Sequence, residues 1–361
     1  MFSERTSVGL DVHARSIAAA AIDTATGEFF KSTLVPQPGV VIEWIRSLPG
    51  PAAVTYEAGP TGFGLARELR AAGLRCEVAA PSRLVRPAGD RVKTDAKDAL
   101  LLARLLRMDE IVSVTLPTVD QEAARDLVRA REDVRGDLMR LRHRVSKLLL
   151  RHGHVYYGGP AWTTRHAAWL HSIRFEQLGT QAAYEADLEA VEFTLARRAR
   201  LDNAIAAMAN DSEFTPTVRK LCCLRGISTL TGFALAVELC DWDRFTGASI
   251  GAFLGLVPSE HTSGDSRRQG GITKAGNSHV RRLLVESAWH HKPRYVVGKT
   301  LQARWDQAPA PARVRAHAGN QRLNHRWTVY SQRKKKHTVA TTAIARELAG
   351  WCWSLATLPD R

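Results

Sequence analysis

The chain has 361 residues and a mass of 39.8 kDa, which suits two or three domains around a sizeable core. With 45% hydrophobic and 24% charged residues, a mean hydropathy of −0.21 and no run of about 18 uncharged apolar residues, a transmembrane protein is excluded. The net charge is +15, and residues 261–361 alone carry 19 Lys and Arg against 5 Asp and Glu; so polarised an excess points to a polyanion, nucleic acid first, through phosphate neutralisation, with a basic surface kept for solubility as the alternative.

From the N-terminus, Ser7–Val12, Ser16–Asp23 and Glu28–Val35 read as three successive strands, the last two parted by the turn signal Thr26-Gly27. Gly39–Leu48 reads as a helix, Ala53–Glu57 as a fourth strand, Thr61–Ala72 as a helix stopped by Gly73, and Arg75–Ala79 as a fifth strand. Thr94–Met108 is then a helix with the apolar stripe Leu101, Leu102, Leu105 and Leu106. Adjacent strands followed by alternating strands and helices predict an α/β unit, a mixed sheet covered by helices. The character changes after residue 118. Leu127, Val134, Leu138, Leu141, Val145 and Leu148 form a heptad-like seam, and Tyr184, Leu188, Val191 and Leu195 form a second one. Two helices of an antiparallel coiled-coil hairpin are expected, joined through the loop His152–Thr164. The first carries Arg129, Arg131, Arg135, Arg140, Arg142, Arg144, Lys147 and Arg151, either a solvated face or one that grips a nucleic-acid backbone.

The remainder reads as mainly helical. Leu224–Ile227 and Leu230–Leu239 look like a hairpin leading into a helix, His261–Gly276 like a Gly/Ser/Arg-rich loop, and Ser278–Trp289 like a helix. Residues 292–320 show little apolar periodicity, and the basic run Arg333-Lys334-Lys335-Lys336 precedes a last helix, Val339–Leu355. The expected domains are 1–115, 116–215 and 216–361. The N-terminus lacks the apolar core of a signal peptide, so secretion is not expected. The five cysteines form no CxxC pair, which argues against a zinc ribbon or a disulfide framework and fits the cytoplasm. Cys222 and Cys223 read as core, and Trp351 and Trp353 as packing residues with base stacking as the alternative.

Four carboxylates of the first unit invite a chemical reading. Asp11 lies in the first strand and Glu57 ends the fourth, while Asp95 and Asp98 share one face at the start of the next helix. Such a set can hold two divalent cations about 4 Å apart, the arrangement that stabilises attacking and leaving oxygens in phosphoryl transfer, and hard oxygen donors select Mg²⁺ or Mn²⁺. Taken singly, Asp95 also suits a helix cap and Asp98 a helix-dipole partner. Asp11 in an apolar strand is harder to dismiss, because burying a lone charge is costly.

The stretches GLDVHARS, TYEAGPTGFGLARELRAAG and VKTDAKDALLLARLL, with AFLGLVPSEHTSGDSRRQGGITKAGNSHVRRLLVESAWH near the other end, resemble the DEDD transposases of bacterial insertion sequences, relatives of the Piv-type DNA invertases. The resemblance covers both ends of the chain; the helical middle matches in architecture more than in sequence. It implies a RuvC-like, ribonuclease-H-fold N-terminal domain whose acidic residues are Asp11, Glu57, Asp95 and Asp98, and a C-terminal transposase domain with a nucleophilic serine. The family serine directly precedes a glycine after GLVP, which matches Ser263-Gly264. The resemblance further implies a structured bridge RNA that pairs with target and donor DNA, and a homo-oligomer, dimer or tetramer, in which the acidic domain of one subunit meets the serine domain of another. Work on DNA in the cytoplasm, at the nucleoid, follows.

By residue chemistry alone Ser263 has rivals in Ser259, Thr262 and Ser266. The loop around it offers Arg267, Arg268, Lys274 and flexible glycines, which also suit a phosphate-gripping loop with no covalent step. One departure is Ser228, which stands where the family hairpin usually has a second glycine, so that a side chain occupies a position used for close backbone approach to phosphate. The leading expectation is an RNA-guided DNA recombinase. The alternatives are a RuvC-like structure-specific endonuclease without a covalent serine step, and a non-catalytic nucleic-acid binder.

Overall fold

The structure, a computed structural model, describes residues 2–84, 94–263 and 266–359. It divides into two compact units, Met1–Val119 and Asp120–Arg361.

In the first unit five strands form one sheet: β1 (Thr6–Val12), β2 (Ile17–Asp23), β3 (Phe29–Leu34), β4 (Ala52–Glu57) and β5 (Arg75–Ala79), in the order β3-β2-β1-β4-β5. The β1–β2 and β2–β3 pairs are antiparallel, and the β1–β4 and β4–β5 pairs parallel, so β1 lies at the centre. Strand alternation sorts its side chains. Val8 and Leu10 enter a buried cluster with Val54, Tyr56 and Val78, covered by α1 (Pro38–Ser47) and α2 (Gly64–Ala71) through Val41, Ile45, Ala66 and Leu69. The opposite face, with Ser7 and Gly9, receives α3 (Asp95–Arg107).

That helix lies directly on the β1 backbone. A Cβ at Gly9 would stand 2.1 Å from the Ala99 carbonyl oxygen and 2.5 Å from the Ala103 nitrogen, so any side chain there would push α3 away. Ser7 Oγ donates to the Ala103 carbonyl at 2.7 Å and fastens the same contact. The outer edge of β5 is covered by residues 112–114, whose backbone bonds to Val78 and Ala80.

The second unit is mainly helical. Two helices of 33 residues each, α4 (Val119–Arg151) and α6 (Leu178–Asn210), flank the shorter α5 (Thr164–Ser172). Of the expected seam, Leu138, Leu141, Val145 and Leu148 are buried in one cluster with Tyr184 and Val191 of α6, and Val134 is buried as well. Leu170 and Ile173, on and just after α5, join that cluster, where the sequence had shown only a loop and the start of a second helix. Nearer its N-terminus, α4 packs Ala124 and Val128 against Ile205 and Ala209 of α6, and against α7 (Thr215–Leu221) and α8 (Thr229–Leu239).

Beyond α9 (Ser249–Phe253), the stretch expected to be a loop is instead an antiparallel ribbon of β6 (Pro258–Ser263) and β7 (Ser266–Ile272). A two-stranded ribbon needs no apolar face of its own, so its sequence carries no alternating hydrophobic signal. The helix α10 (Ser278–Ala288) lies where expected. The stretch without periodicity, in contrast, holds α11 (Lys299–Trp305) and the 23-residue α12 (Ala310–Gln332). The buried stripe of α12 is Ala312, Ala316, Gly319, Asn320, Leu323 and Trp327, mostly small or polar side chains that conceal its helical period. Gly319 lets Trp351 of α13 (His337–Ala356) press onto the α12 backbone, and Trp327 Nε1 donates to the Ala288 carbonyl at 2.9 Å. Cys222 and Cys223 are buried and free, as core residues.

Candidate metal centre

The site is built at the end of β1. Because Ser7 and Gly9 face α3, the next residue of that parity, Asp11, faces the start of the same helix, where Asp95 is the first residue. His13 has the same parity. Its N–H donates to the Ser16 carbonyl at 3.0 Å, closing the turn into β2, and its ring lies back over the site. His13 Nε2 is 3.2 Å from Asp11 Oδ2 and 3.7 Å from Asp95 Oδ2. Among the described residues, Asp11, His13 and Asp95 are the group of three such side chains close enough to hold one ion, with ligand atoms all within 4.8 Å of one another.

Glu57 is the last residue of β4 and half-buried; in register, Thr55 is abreast of Gly9 and Tyr56 abreast of Leu10, which brings Glu57 level with Asp11 on the α3 face. Asp98 lies one turn along α3 from Asp95 and is half-buried. The structure therefore brings Asp11 and Asp95 into one close group and sets Glu57 and Asp98 beside it. Asp95 does not cap α3, since the Thr94 side chain does so by accepting from the Lys97 N–H at 3.4 Å. Burial pushes the Asp11 carboxyl above the ordinary carboxylate range, His13 offsets part of this, and the negative charges of Asp95 and Asp98 raise it further. A divalent cation fits this donor set: carboxylate oxygens suit Mg²⁺ and Mn²⁺, and an imidazole nitrogen is acceptable to Mn²⁺. Sequence reasoning missed His13. Its signal was the period-two spacing from Asp11 in a strand whose odd-numbered residues face one helix.

In the second unit, Ser263 ends β6, its backbone paired with Ser266 of β7. The side chains of residues 261–267, Thr262, Ser263, Ser266 and Arg267 among them, lie outside the described residues, as do Gly264 and Asp265 altogether. Ser259 Oγ packs over Gly270 across the ribbon. Ser228 is the N-cap of α8; its hydroxyl accepts from the Thr231 N–H at 3.3 Å, while the turn before it passes through Gly226 at φ 85°. The side chain that departs from the glycine pattern is thus used to start a helix. Several α4 arginines have protein partners: Arg129 with Glu238, Arg131 with Asp202, Arg135 with Glu132, and Arg142 over the Trp162 ring. The Arg333–Lys336 run forms the exposed turn between α12 and α13, with Lys334 at φ 50°.

A model of the IS110-type DEDD transposases matches residues 8–153, the span that holds all four acids and His13. A second, described as the transposase IS116/IS110/IS902 family, matches residues 218–304, from α7 through α11. A Sinorhizobium fredii protein described as a transposase, y4qE, is 40% identical over 302 residues, 83% of this chain and 74% of that one. The transposase for insertion sequence element IS1533 of Leptospira borgpetersenii is 30% identical over 346 residues, 91% of this chain and 97% of its own length. The chain belongs to the IS110/IS116 family of DEDD transposases. A transposase of this family acts on DNA, and its acidic type suits a divalent cation at the Asp11 centre. No helix among the described residues is long and apolar enough to cross a membrane.

Proposed function

We propose that this transposase is an RNA-guided recombinase that moves its own insertion sequence: a bridge RNA pairs with target and donor DNA, Asp11, Glu57, Asp95 and Asp98 hold Mg²⁺ or Mn²⁺, and Ser263 is the nucleophile. The observation that carries the reading is the meeting of Asp11 and Asp95 at the end of the central strand, with Glu57 level on the neighbouring strand. A mixed five-stranded sheet with this order supports a RuvC-like domain over residues 1–115, and the packed α4 and α6 support a coiled-coil hairpin over 116–215 preceding the transposase domain 216–361. The composite site is formed in a homo-oligomer on nucleoid DNA, with the acidic domain of one subunit serving the serine of another.

A bound divalent cation would neutralise charge on the phosphate oxygens. In the cleavage step the Ser263 hydroxyl loses its proton and its oxygen bonds to phosphorus. The phosphorus–oxygen bond to one deoxyribose breaks, and the released sugar oxygen takes a proton. The serine–phosphate ester keeps the bond energy, so a second sugar hydroxyl can displace the serine and rejoin the strand without ATP. Denaturing electrophoresis with labelled DNA tests this. Wild-type protein is expected to give a protein–DNA adduct, Ser263→Ala neither adduct nor joined product, and Ser259→Ala and Ser266→Ala both. Cleavage without an adduct in the wild type would instead mark an endonuclease. Sequencing RNA that copurifies with the protein tests the guide.

A further inference from the structure

We propose that His13 is a nitrogen ligand of the cation at the acidic centre, which makes this a mixed imidazole–carboxylate site that favours Mn²⁺ over Mg²⁺. The inference rests on the acidic-site reading above and adds a donor that the four carboxylates do not include.

Geometry is the first argument. Two ligands at about 2.1–2.2 Å from one ion lie about 3 Å apart in adjacent octahedral positions and about 4.3 Å apart in opposite ones. The 3.2 Å and 3.7 Å from His13 Nε2 to the Asp11 and Asp95 oxygens fall within that window, and all three donor atoms lie within 4.8 Å of one another. A ring N–H can be directed at one acceptor, whereas Nε2 faces two carboxylates from different elements, the end of β1 and the start of α3. A shared cation satisfies both at once; a histidinium would pair well with Asp11 and poorly with Asp95, at a distance beyond hydrogen-bond range.

The placement is built rather than incidental. His13 keeps the parity of Asp11 one residue beyond the end of β1, and its backbone N–H bonded to the Ser16 carbonyl holds the ring beside the first carboxylate. Asp95 and Asp98 stand at the start of α3, Asp95 within reach of Asp11, so the site carries negative charge that a cation can neutralise. Imidazole is a borderline donor that suits transition-metal ions, whereas Mg²⁺ keeps oxygen ligands and several waters. The His13 side chain is 53% exposed, so replacing it leaves the core of the unit untouched.

The test is metal binding itself. Mn²⁺ is titrated calorimetrically into the full-length wild type, His13→Ala, His13→Gln and Asp11→Asn, and each Mn²⁺-loaded sample is measured by pulsed electron paramagnetic resonance for coupling to ¹⁴N. The wild type is expected to bind Mn²⁺ with a nitrogen coupling. His13→Ala and His13→Gln are expected to lose that coupling, and His13→Ala to bind Mn²⁺ at least about tenfold more weakly with little change toward Mg²⁺. Mn²⁺ bound without nitrogen coupling in the wild type, or a coupling that survives in both His13 variants, overturns the proposal and leaves the carboxylate site standing. Mn²⁺ binding that is absent, or unaffected by Asp11→Asn, overturns both. Circular dichroism of each variant confirms that it is folded.

Discussion

Asp11 and Glu238 are the carboxylates on which the two units spend their structure, and they are handled in opposite ways. Glu238, near the end of α8, has a side chain only 3% exposed. Two Arg129 nitrogens donate to it at 3.2 Å and Asn277 Nδ2 at 2.9 Å, with His279 alongside at 3.6 Å. Burial alone would raise its pKa, yet His279, Arg129 and Asn277 draw it down to about 2. Asp11 is more open, yet burial is what chiefly moves its pKa up; one histidine offsets part of this and two further acids add to it. A carboxylate surrounded by donors is complete, and it ties α8 to α4 and α10. Asp11, with one histidine beside it and acids facing it, keeps negative charge that a cation can neutralise.

The comparison breaks most visibly at Asp11. Asp11→Ala, Glu57→Ala or Asp98→Ala should each remove recombination by several orders of magnitude, because the loss of a cation costs several kcal/mol of transition-state stabilisation. Each variant should still unfold cooperatively on heating, which separates loss of the cation from loss of the fold; recombination near the wild-type rate would end the acidic-site assignment. Mn²⁺ sharpens the contrast. At about a hundredfold above its dissociation constant it should stabilise the first unit by roughly 2.7 kcal/mol in urea titrations, and should do nothing for Asp11→Asn.

At Glu238 the expected loss is stability instead. Glu238→Ala should cost about 2–3 kcal/mol in urea unfolding, less than for a fully enclosed pair because the exposed Arg129 can turn to water. The smallest effect is on pH dependence. Since the pKa of Glu238 is depressed in the fold, its stabilisation is complete above the unfolded value of about 4.3 and is lost as the pH falls toward 2. His291, buried and drawn down to about 3 chiefly by burial, stays neutral in the fold while the unfolded chain protonates near 6.5, so it destabilises as the pH falls through that window. Each contributes at most about 1.4 kcal/mol per pH unit. Asp11 works with the opposite sign, its ionisation opposing the fold as the pH rises. Urea midpoints of wild type and Glu238→Gln from pH 7 to 3 should converge at the acid end.

Much of the first unit was legible because its strands are apolar runs between turn residues and its helices carry stripes. The heptad seam of α4 was legible for the same reason. What escaped did so physically. The stripe of α12 uses Ala, Gly and Asn, whose burial depends on the close approach of neighbouring helices and not on their own hydrophobicity. The β6–β7 ribbon pairs backbone to backbone across polar residues. Asp11 announced itself as a charge in an apolar strand, but Glu238 looked like any helical glutamate, because its partners Arg129, Asn277 and His279 come from distant stretches. His13 escaped because it is a single residue beyond a strand end, with no second histidine at a helical i, i+4 ligand spacing.

The contact between β1 and α3 works as a pair of matched rulers. Ser7, Gly9 and Asp11 are two residues apart, a step of about 6.6 Å along a strand. The helix residues they meet, Ala103, Ala99 and Asp95, are four apart, about 6.0 Å along the helix axis. The two scales run in opposite directions and stay nearly in phase over three marks, so the carboxylates meet as the third coincidence of a pattern begun by a serine and a glycine. A single residue inserted between Ser7 and Asp11 would turn Asp11 to the far face, among Val8, Leu10 and Tyr56. A change of count in this strand would therefore misplace every mark after it at once, whereas a change of letter disturbs only one.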